Sequence, residues 1–417
     1  MRLVYSWLLR LAVPVASLVV LWRGLRHRDY RRGWRERFGY GYQGVPGGLW
    51  VHAVSVGEVQ AAIVLARALR VQRPALPLTL TTATPAGRVV AEQSGELWSQ
   101  VCFAPYDLPG AQRRVLAALA PRLLVILETE LWPNQLRECA RAGVPVLAVS
   151  ARVAERTVRR LRRFPGLLGA ASLANMSVLA QSAGDAARFG RLGVPAAALS
   201  VCGNIKFDRA VDQSTRRRGA ALRAALAPAA PLWVAGSTRD GEEAAMLQAH
   251  RAALARAPAT VLVLAPRHRE RMAAVAALLD AQGFMWRRRS AGGAGPVQVL
   301  LLDTMGELMD CYAAADLAFV GGSLGPFGGH NLLEPAMLGV ATLTGPHHTS
   351  APDVLRALQA ARAVRVVHDA QELQHALLQL LFDDAAARQA LGAAGAAAVA
   401  DNRGALDAAI ARITARL

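Results

Sequence analysis

FVGGSLGPFGGHNLLEP, residues 319–335, decides how the rest of the chain is read. A short apolar strand, Leu317 to Val320, runs into a loop with five glycines in nine residues (321–329). A helix is predicted to open at Asn331. This wiring lets an α/β domain present bare backbone N–H groups and a helix N-terminus to a phosphate. Glycine permits φ > 0 and close approach of a ligand to the backbone. The same pattern also serves as a plain strand-to-helix turn, because Asn331-x-x-Glu334 has the spacing of a capping box.

Outward from this loop, short apolar runs alternate with stretches of helical spacing, the pattern of a doubly wound sheet. One set of strands is predicted at 49–54, 76–83, 122–127 and 145–150. A second set follows at 231–237, 260–266, 297–303, 316–322, 339–345 and 363–369. Two Rossmann-like domains facing across a cleft are therefore expected, with a boundary near 204–216. The expected division is 1–35 as membrane anchor and basic flank, 36–208 as the first domain and 209–417 as the second.

Leu3 to Trp22 has about the length of a bilayer-spanning helix, broken by Arg10 and Pro14. Arg23, Arg26, Arg28, Arg31, Arg32, Arg35 and Arg37 follow it, as expected for a cytoplasmic flank that binds anionic lipid. A helix lying in the membrane interface is the rival reading. Either way, the expected location is the cytoplasmic face of a membrane.

In the 417-residue chain 53% of residues are hydrophobic and 19% charged, which supports large cores. The four cysteines form no C-x-x-C pair, which argues against a disulfide framework or zinc site. The net charge of +18 calls for acidic partners. Only 6% of residues are aromatic and these fall in apparent core strands, so nucleic acid is not expected as a partner. Of the 48 Lys and Arg residues only Lys206 is lysine. Either one lysine has survived by chance in an arginine-rich composition, or a compact ammonium is required there.

Ligands of such folds sit at the carboxyl ends of the strands. After the first strand, Ser55-x-x-Glu58 reads as a capping box or as a carboxylate poised to accept a proton. Glu128 and Glu130, before Trp132-Pro133, follow the third strand, and Glu128 is placed toward the cleft. In the second half, Ser237 or Thr238 is expected to cap a helix whose first turn is acidic. Pro266 and Arg267 end the next strand, and Asp303 to Leu308 follow the third. His330 sits in the glycine loop as a donor or a structural residue. His347-His348 lacks acidic companions, so no metal site is expected.

Together WVHAVSVGEV (50–59), ETELWPN (128–134), GNIKFD (203–208), GSTRDGEE (236–243), APRHRER (265–271), DTMGELMDCYAAADLAFVGGS (303–323), GGHNLLEP (328–335) and GPH (345–347) resemble one family. It is the 3-deoxy-D-manno-octulosonic acid (Kdo) transferases, inverting GT-B glycosyltransferases of lipopolysaccharide synthesis. The resemblance runs almost end to end. One departure is Ser150 in SARVAER, where the family more often has asparagine.

The resemblance implies CMP-Kdo as donor, a lipid A precursor as acceptor, anionic inner-membrane lipids as surroundings, and no cofactor or essential metal. Glu58 would be the general base, with Glu128 and Lys206 as transition-state stabilisers. Pro266, Arg267, Met305, Gly306, Glu307, Asn331, Leu332, Leu333 and Glu334 would bind CMP. A GT-B transferase using a UDP-sugar and a membrane lipid acceptor is the alternative.

Overall fold

The computed structural model describes residues 1–26, 32–164, 166–208, 211–293, 295–349 and 351–417. The chain divides into two units, Met1–Arg209 with Asn402–Leu417, and Ala210–Asp401. The division corrects the expected second domain at one end, because residues 402–417 belong to the first unit. There the helix Ala405–Thr414 buries Ala405, Ala409, Ile410 and Ile413 in the same core as Leu65 and Leu69. The Asp208 carboxylate fixes its start by accepting from Gly404 N–H (2.6 Å) and Leu406 N–H (2.7 Å).

The first unit holds strands β1 (Leu49–His52), β2 (Leu78–Thr82), β3 (Gln100–Phe103), β4 (Leu123–Leu127), β5 (Val146–Ala151), β6 (Met176–Ala180) and β7 (Leu199–Val201). They form one sheet in the order β3-β2-β1-β4-β5-β6-β7, all neighbours parallel. Helices cover both faces, so the strands read as unbroken apolar runs. Leu49 and Val51 point into one core layer and Trp50 into the other, as period-two alternation requires.

The second unit repeats the plan with β8 (Leu232–Thr238), β9 (Val261–Pro266), β10 (Trp286–Arg288), β11 (Val299–Leu301), β12 (Leu317–Val320), β13 (Ala341–Thr344) and β14 (Arg365–Val366). Their order is β10-β11-β9-β8-β12-β13-β14, again wholly parallel. Each sheet is wound outward in both directions from its first strand, so a switch point falls between β1 and β4 and between β8 and β12. Loops diverge at such a switch point and leave a crevice at the strands' carboxyl ends.

The N-terminus forms the helix Arg2–Arg26. Among the described residues no helix is long and apolar enough to cross a membrane, so the span expected from Leu3 to Trp22 is not supported. Ser6, Arg10 and Ser17 dilute its apolar character, and Ser6 and Ser17 are buried against the first unit. Tyr5 Oη donates to Asp107 Oδ2 (3.0 Å) and Ser6 Oγ to Asn134 Oδ1 (3.1 Å). Of the expected basic flank, Arg28 and Arg31 lie outside the described residues, as do the side chains of Arg23 and Arg26.

Candidate active site

The switch point of the first sheet gathers the three residues singled out for catalysis. Beyond β1, Ser55 caps the helix Val56–Gln72 and accepts from Glu58 N–H. The Glu58 carboxylate turns back to accept from Val54 N–H (2.7 Å) and Ser55 Oγ–H (2.9 Å). Glu58 is therefore a cap, and the cap holds its carboxylate where β1 ends. Burial pushes its pKa up to about 7, helped by the negative charges of Glu130 and Glu128 and opposed by the Val54 and Ser55 bonds. A carboxylate with that proton affinity is suited to accept a hydroxyl proton near neutrality.

Glu128 directly follows β4 and is buried, with φ of 58°. An L-residue takes this left-handed conformation only at a cost that the surroundings must offset. Here its backbone bridges to Val149 O and Arg152 N. Its Oε1 lies 2.5 Å from Lys206 Nζ, while Oε2 meets Arg152 at Nη2 (3.1 Å) and Nε (3.2 Å). Burial also raises the proton affinity of Glu130, with Glu128 adding to the effect, although Trp132 Nε1–H bonds it at 2.6 Å.

Lys206 lies in the short 3₁₀ turn Ile205–Asp208. Its ammonium faces the start of the Glu58 helix, 3.9 Å from where a β-carbon on Gly57 would stand. Two bonds set the turn. Lys206 N–H donates to Asn204 Oδ1 (3.0 Å), and Ile205 N–H donates to Ser150 Oγ (2.9 Å). Ser150 sits at a register shift of β5 against β6 with φ of 50°, a bulge that aims its side chain out of the ladder. The residue that departs from the family pattern thus still supplies a hydrogen-bond acceptor to the lysine segment.

In the second unit the switch point is built differently from the expectation. The glycine loop does not offer all its amides. Gly322 N–H (2.7 Å), Ser323 N–H (2.9 Å) and Leu324 N–H (2.9 Å) donate to the buried Glu242 carboxylate, which also accepts from Arg239 N–H (2.8 Å). An internal anion occupies the part of the loop that was read as a phosphate cradle. Gly321 has to be glycine here, because a β-carbon would stand 2.8 Å from Glu242 Oε2 and 2.7 Å from Thr238 Cα. The expected Ser237 or Thr238 cap is also corrected. Gly241 is the N-cap of the helix Glu242–Arg256, and Thr238 Oγ1 instead bonds Glu243 Oε1.

The other residues predicted to bind nucleotide fall at this same end of the second sheet. Pro266 closes β9, and Arg267 N–H donates to Thr238 O. Met305 is 73% exposed beside Gly306, whose φ is 84°. Glu307 is engaged by Arg289 (2.9 Å) and by Thr304 Oγ1, which holds its pKa below the ordinary value. The helix begins at Leu333 rather than Asn331. Its N-cap is Leu332, without a side-chain cap, so the expected capping box is corrected; Asn331, one residue earlier, accepts from Leu333 N–H (3.1 Å) and donates to Glu334 Oε1 (3.2 Å). His330 lies against Gly322, and Arg239 stacks over Phe327 at 4.9 Å. Burial, then the charges of Arg267 and Arg239, lower the His330 pKa to about 4. Among the described residues no group of three or more His, Cys, Asp or Glu is placed to hold a metal ion.

Two doubly wound parallel sheets, each with a switch point at the carboxyl ends of its strands, define the fold. A putative UDP-N-acetylglucosamine 2-epimerase from Listeria monocytogenes shares this GT-B-like fold, with a TM-score of 0.53 over 85% of this chain and 94% of that one. At 15% identity the likeness is one of fold alone. The model of the 3-deoxy-D-manno-octulosonic-acid transferase (kdotransferase) family matches residues 32–209. The 3-deoxy-D-manno-octulosonic acid transferase of Bordetella pertussis is 40% identical, with 97% of this chain and 96% of that one covered. The transferase of the same description from Haemophilus influenzae is 35% identical over the same shares. The chain belongs to the 3-deoxy-D-manno-octulosonic acid transferase family and is a glycosyltransferase.

Proposed function

We propose that the protein transfers Kdo from CMP-Kdo to a phosphorylated lipid A precursor, inverting the anomeric centre. The observation that carries this is the grouping of Glu58, Glu128 and Lys206 at one switch point in a chain of this family. The acceptor hydroxyl oxygen bonds to the anomeric carbon as the bond from that carbon to the CMP phosphate breaks. Glu58 takes the hydroxyl proton. Lys206 offsets negative charge on the Kdo carboxylate or departing phosphate. Glu128, flanked by Lys206 and Arg152, holds that ammonium in place as much as it stabilises positive charge at the anomeric centre.

In this reading the first unit takes the acceptor and the second the donor, in the manner of a GT-B enzyme. CMP is held by Pro266 and Arg267, by Met305 to Glu307, and by Asn331 to Glu334. The Glu307 side chain is already engaged, so that segment serves chiefly through its backbone.

The N-terminal helix attaches the enzyme to the cytoplasmic face of the inner membrane by lying in the interface. Leu3, Val4, Trp7, Leu8, Leu11, Val15, Leu18 and Trp22 are all more than half exposed, which supports an apolar stripe turned toward lipid.

The test is CMP release by the full-length protein given CMP-Kdo and a tetraacylated lipid A precursor, with the lipid product weighed by mass spectrometry. Acceptor-dependent release with a gain of one or two Kdo masses is expected. Competition by UDP but not CMP would overturn the donor assignment.

A further inference from the structure

One surface of the first unit carries charge that the reaction scheme above leaves unused. The helix Glu155–Arg162 follows β5 after three residues, the first of which is Arg152, the partner of Glu128. Its first turn therefore leaves the carboxyl end of β5, three residues after the arginine that pairs with Glu128. Val158 is buried and Leu161 half-buried in the core below. Arg156, Arg159, Arg160 and the C-cap Arg163 recur at i, i+3, i+4 and i+7 on the opposite face, Arg162 lies on the flank, and all five are exposed. The one acid of the helix, Glu155, is paired with Arg191. Among the described residues no ion pair joins any of the five arginines to a carboxylate.

Like charges three and four residues apart destabilise a helix. Five unpaired guanidinium groups on a two-turn segment are an electrostatic cost that a bound polyanion offsets. Guanidinium forks match phosphate geometry and are its strongest side-chain partners. We propose that this arginine stripe binds the phosphate groups of the glycolipid acceptor, orienting its sugar hydroxyl toward Glu58. The inference rests on the acceptor reading given above. Bulk membrane lipid is the poorer match, because the stripe follows closely on Arg152 in the chain, while the exposed apolar residues for a bilayer lie on the N-terminal helix.

The test uses the full-length Arg156→Gln/Arg159→Gln/Arg160→Gln protein in neutral detergent, with phosphorylated and enzymatically dephosphorylated acceptor. Arg216→Gln/Arg217→Gln, on an exposed helix of the second unit, controls for loss of charge alone. The acceptor KM of the triple variant should rise about tenfold, with kcat and the CMP-Kdo KM unchanged. On the dephosphorylated acceptor the variant and wild type should coincide. An unchanged acceptor KM, an equal penalty on both acceptors, or the same penalty in the control would overturn the proposal. So would a penalty confined to acceptor presented in anionic phosphatidylglycerol vesicles, which would mark the stripe as a headgroup site. A wild type that releases no CMP from CMP-Kdo refutes the functional reading itself, and that outcome is separate from all of these.

Discussion

Lys206 Nζ lies 2.5 Å from Glu128 Oε1, and this ion pair joins the carboxyl end of β4 to a turn 78 residues further along the chain. Arg152 holds the other carboxylate oxygen, so Glu128 fixes the lysine from one side, and in the proposed mechanism the ammonium meets substrate from the other. A guanidinium is planar and longer and cannot occupy the space beside Gly57 in the same way. Lys206→Arg is therefore expected to lower kcat by about a hundredfold despite retaining the charge. Steady-state CMP release measures it, and wild-type turnover in the variant would remove Lys206 from the mechanism.

Glu58→Gln separates proton transfer from capping. Glutamine still offers an oxygen to Val54 N–H, so the helix should lose no more than about 1 kcal/mol. Transfer should fall by about 10²–10⁴-fold, with CMP-Kdo affinity by calorimetry nearly unchanged. Parallel loss of affinity and melting temperature would leave Glu58 with its cap alone.

With Glu58 as the proposed base, its proton affinity is expected to set the acidic limb of the pH profile. A base with a pKa raised to about 7, first by burial and then by Glu130 and Glu128, is active only when deprotonated. The ratio kcat/KM should rise as pH increases through about 7 and then level off. Glu130→Gln removes a negative charge that raises this pKa, so the limb should move to lower pH. A limb that stays in place would show that Glu130 does not act on Glu58.

Glu242 organises the glycine loop from within. In Glu242→Ala the buried amides of Gly322, Ser323 and Leu324 lose their acceptor, at a cost of about 3 kcal/mol or more. The Glu242→Gln variant keeps one accepting oxygen and should fold, with its defect concentrated in the donor KM rather than in kcat. Chemical denaturation and CMP titration of both variants test this. Unaltered CMP affinity in Glu242→Gln would separate the loop from the donor.

Asp107 links stability to pH where the N-terminal helix is seated. Its carboxylate accepts from Asn134 and Gln135 N–H and from Tyr5 Oη, yet burial lifts its pKa from 3.8 to about 7. The folded state therefore binds this proton more tightly than the unfolded chain. The contribution is full below about pH 4 and is lost as pH rises toward 7. The stability advantage of wild type over Asp107→Asn should shrink by on the order of 2–4 kcal/mol across that window. Denaturation midpoints at pH 4, 5.5 and 7.5 measure it, and a constant difference would refute it.

Ten of the strands were legible because two-sided burial leaves unbroken apolar runs such as LLVIL and VLVLAP. The unpredicted strands were β3, β6, β7 and β10. β3, β7 and β10 are short edge strands of four, three and three residues, whose sequences carry little of that signal. β6 lies inside its sheet, but MSVLA is embedded in alanine-rich sequence that reads equally well as helix. Ser150 and Arg152 were likewise not assigned as supports of Lys206 and Glu128, because contacts across 55 and 24 residues leave no local spacing to read.

By itself the sequence determined the doubly wound architecture, the family, and the grouping of motifs at strand ends, since these depend on local periodicity and on residue types at fixed offsets. Tertiary structure decided where each charge goes. It set Lys206 against Glu128 and brought Asp208 to the C-terminal helix. It also placed Glu242 in the glycine loop, where a phosphate had been expected. A buried carboxylate must take whatever donors packing brings within reach, and strand order rather than sequence order determines which those are.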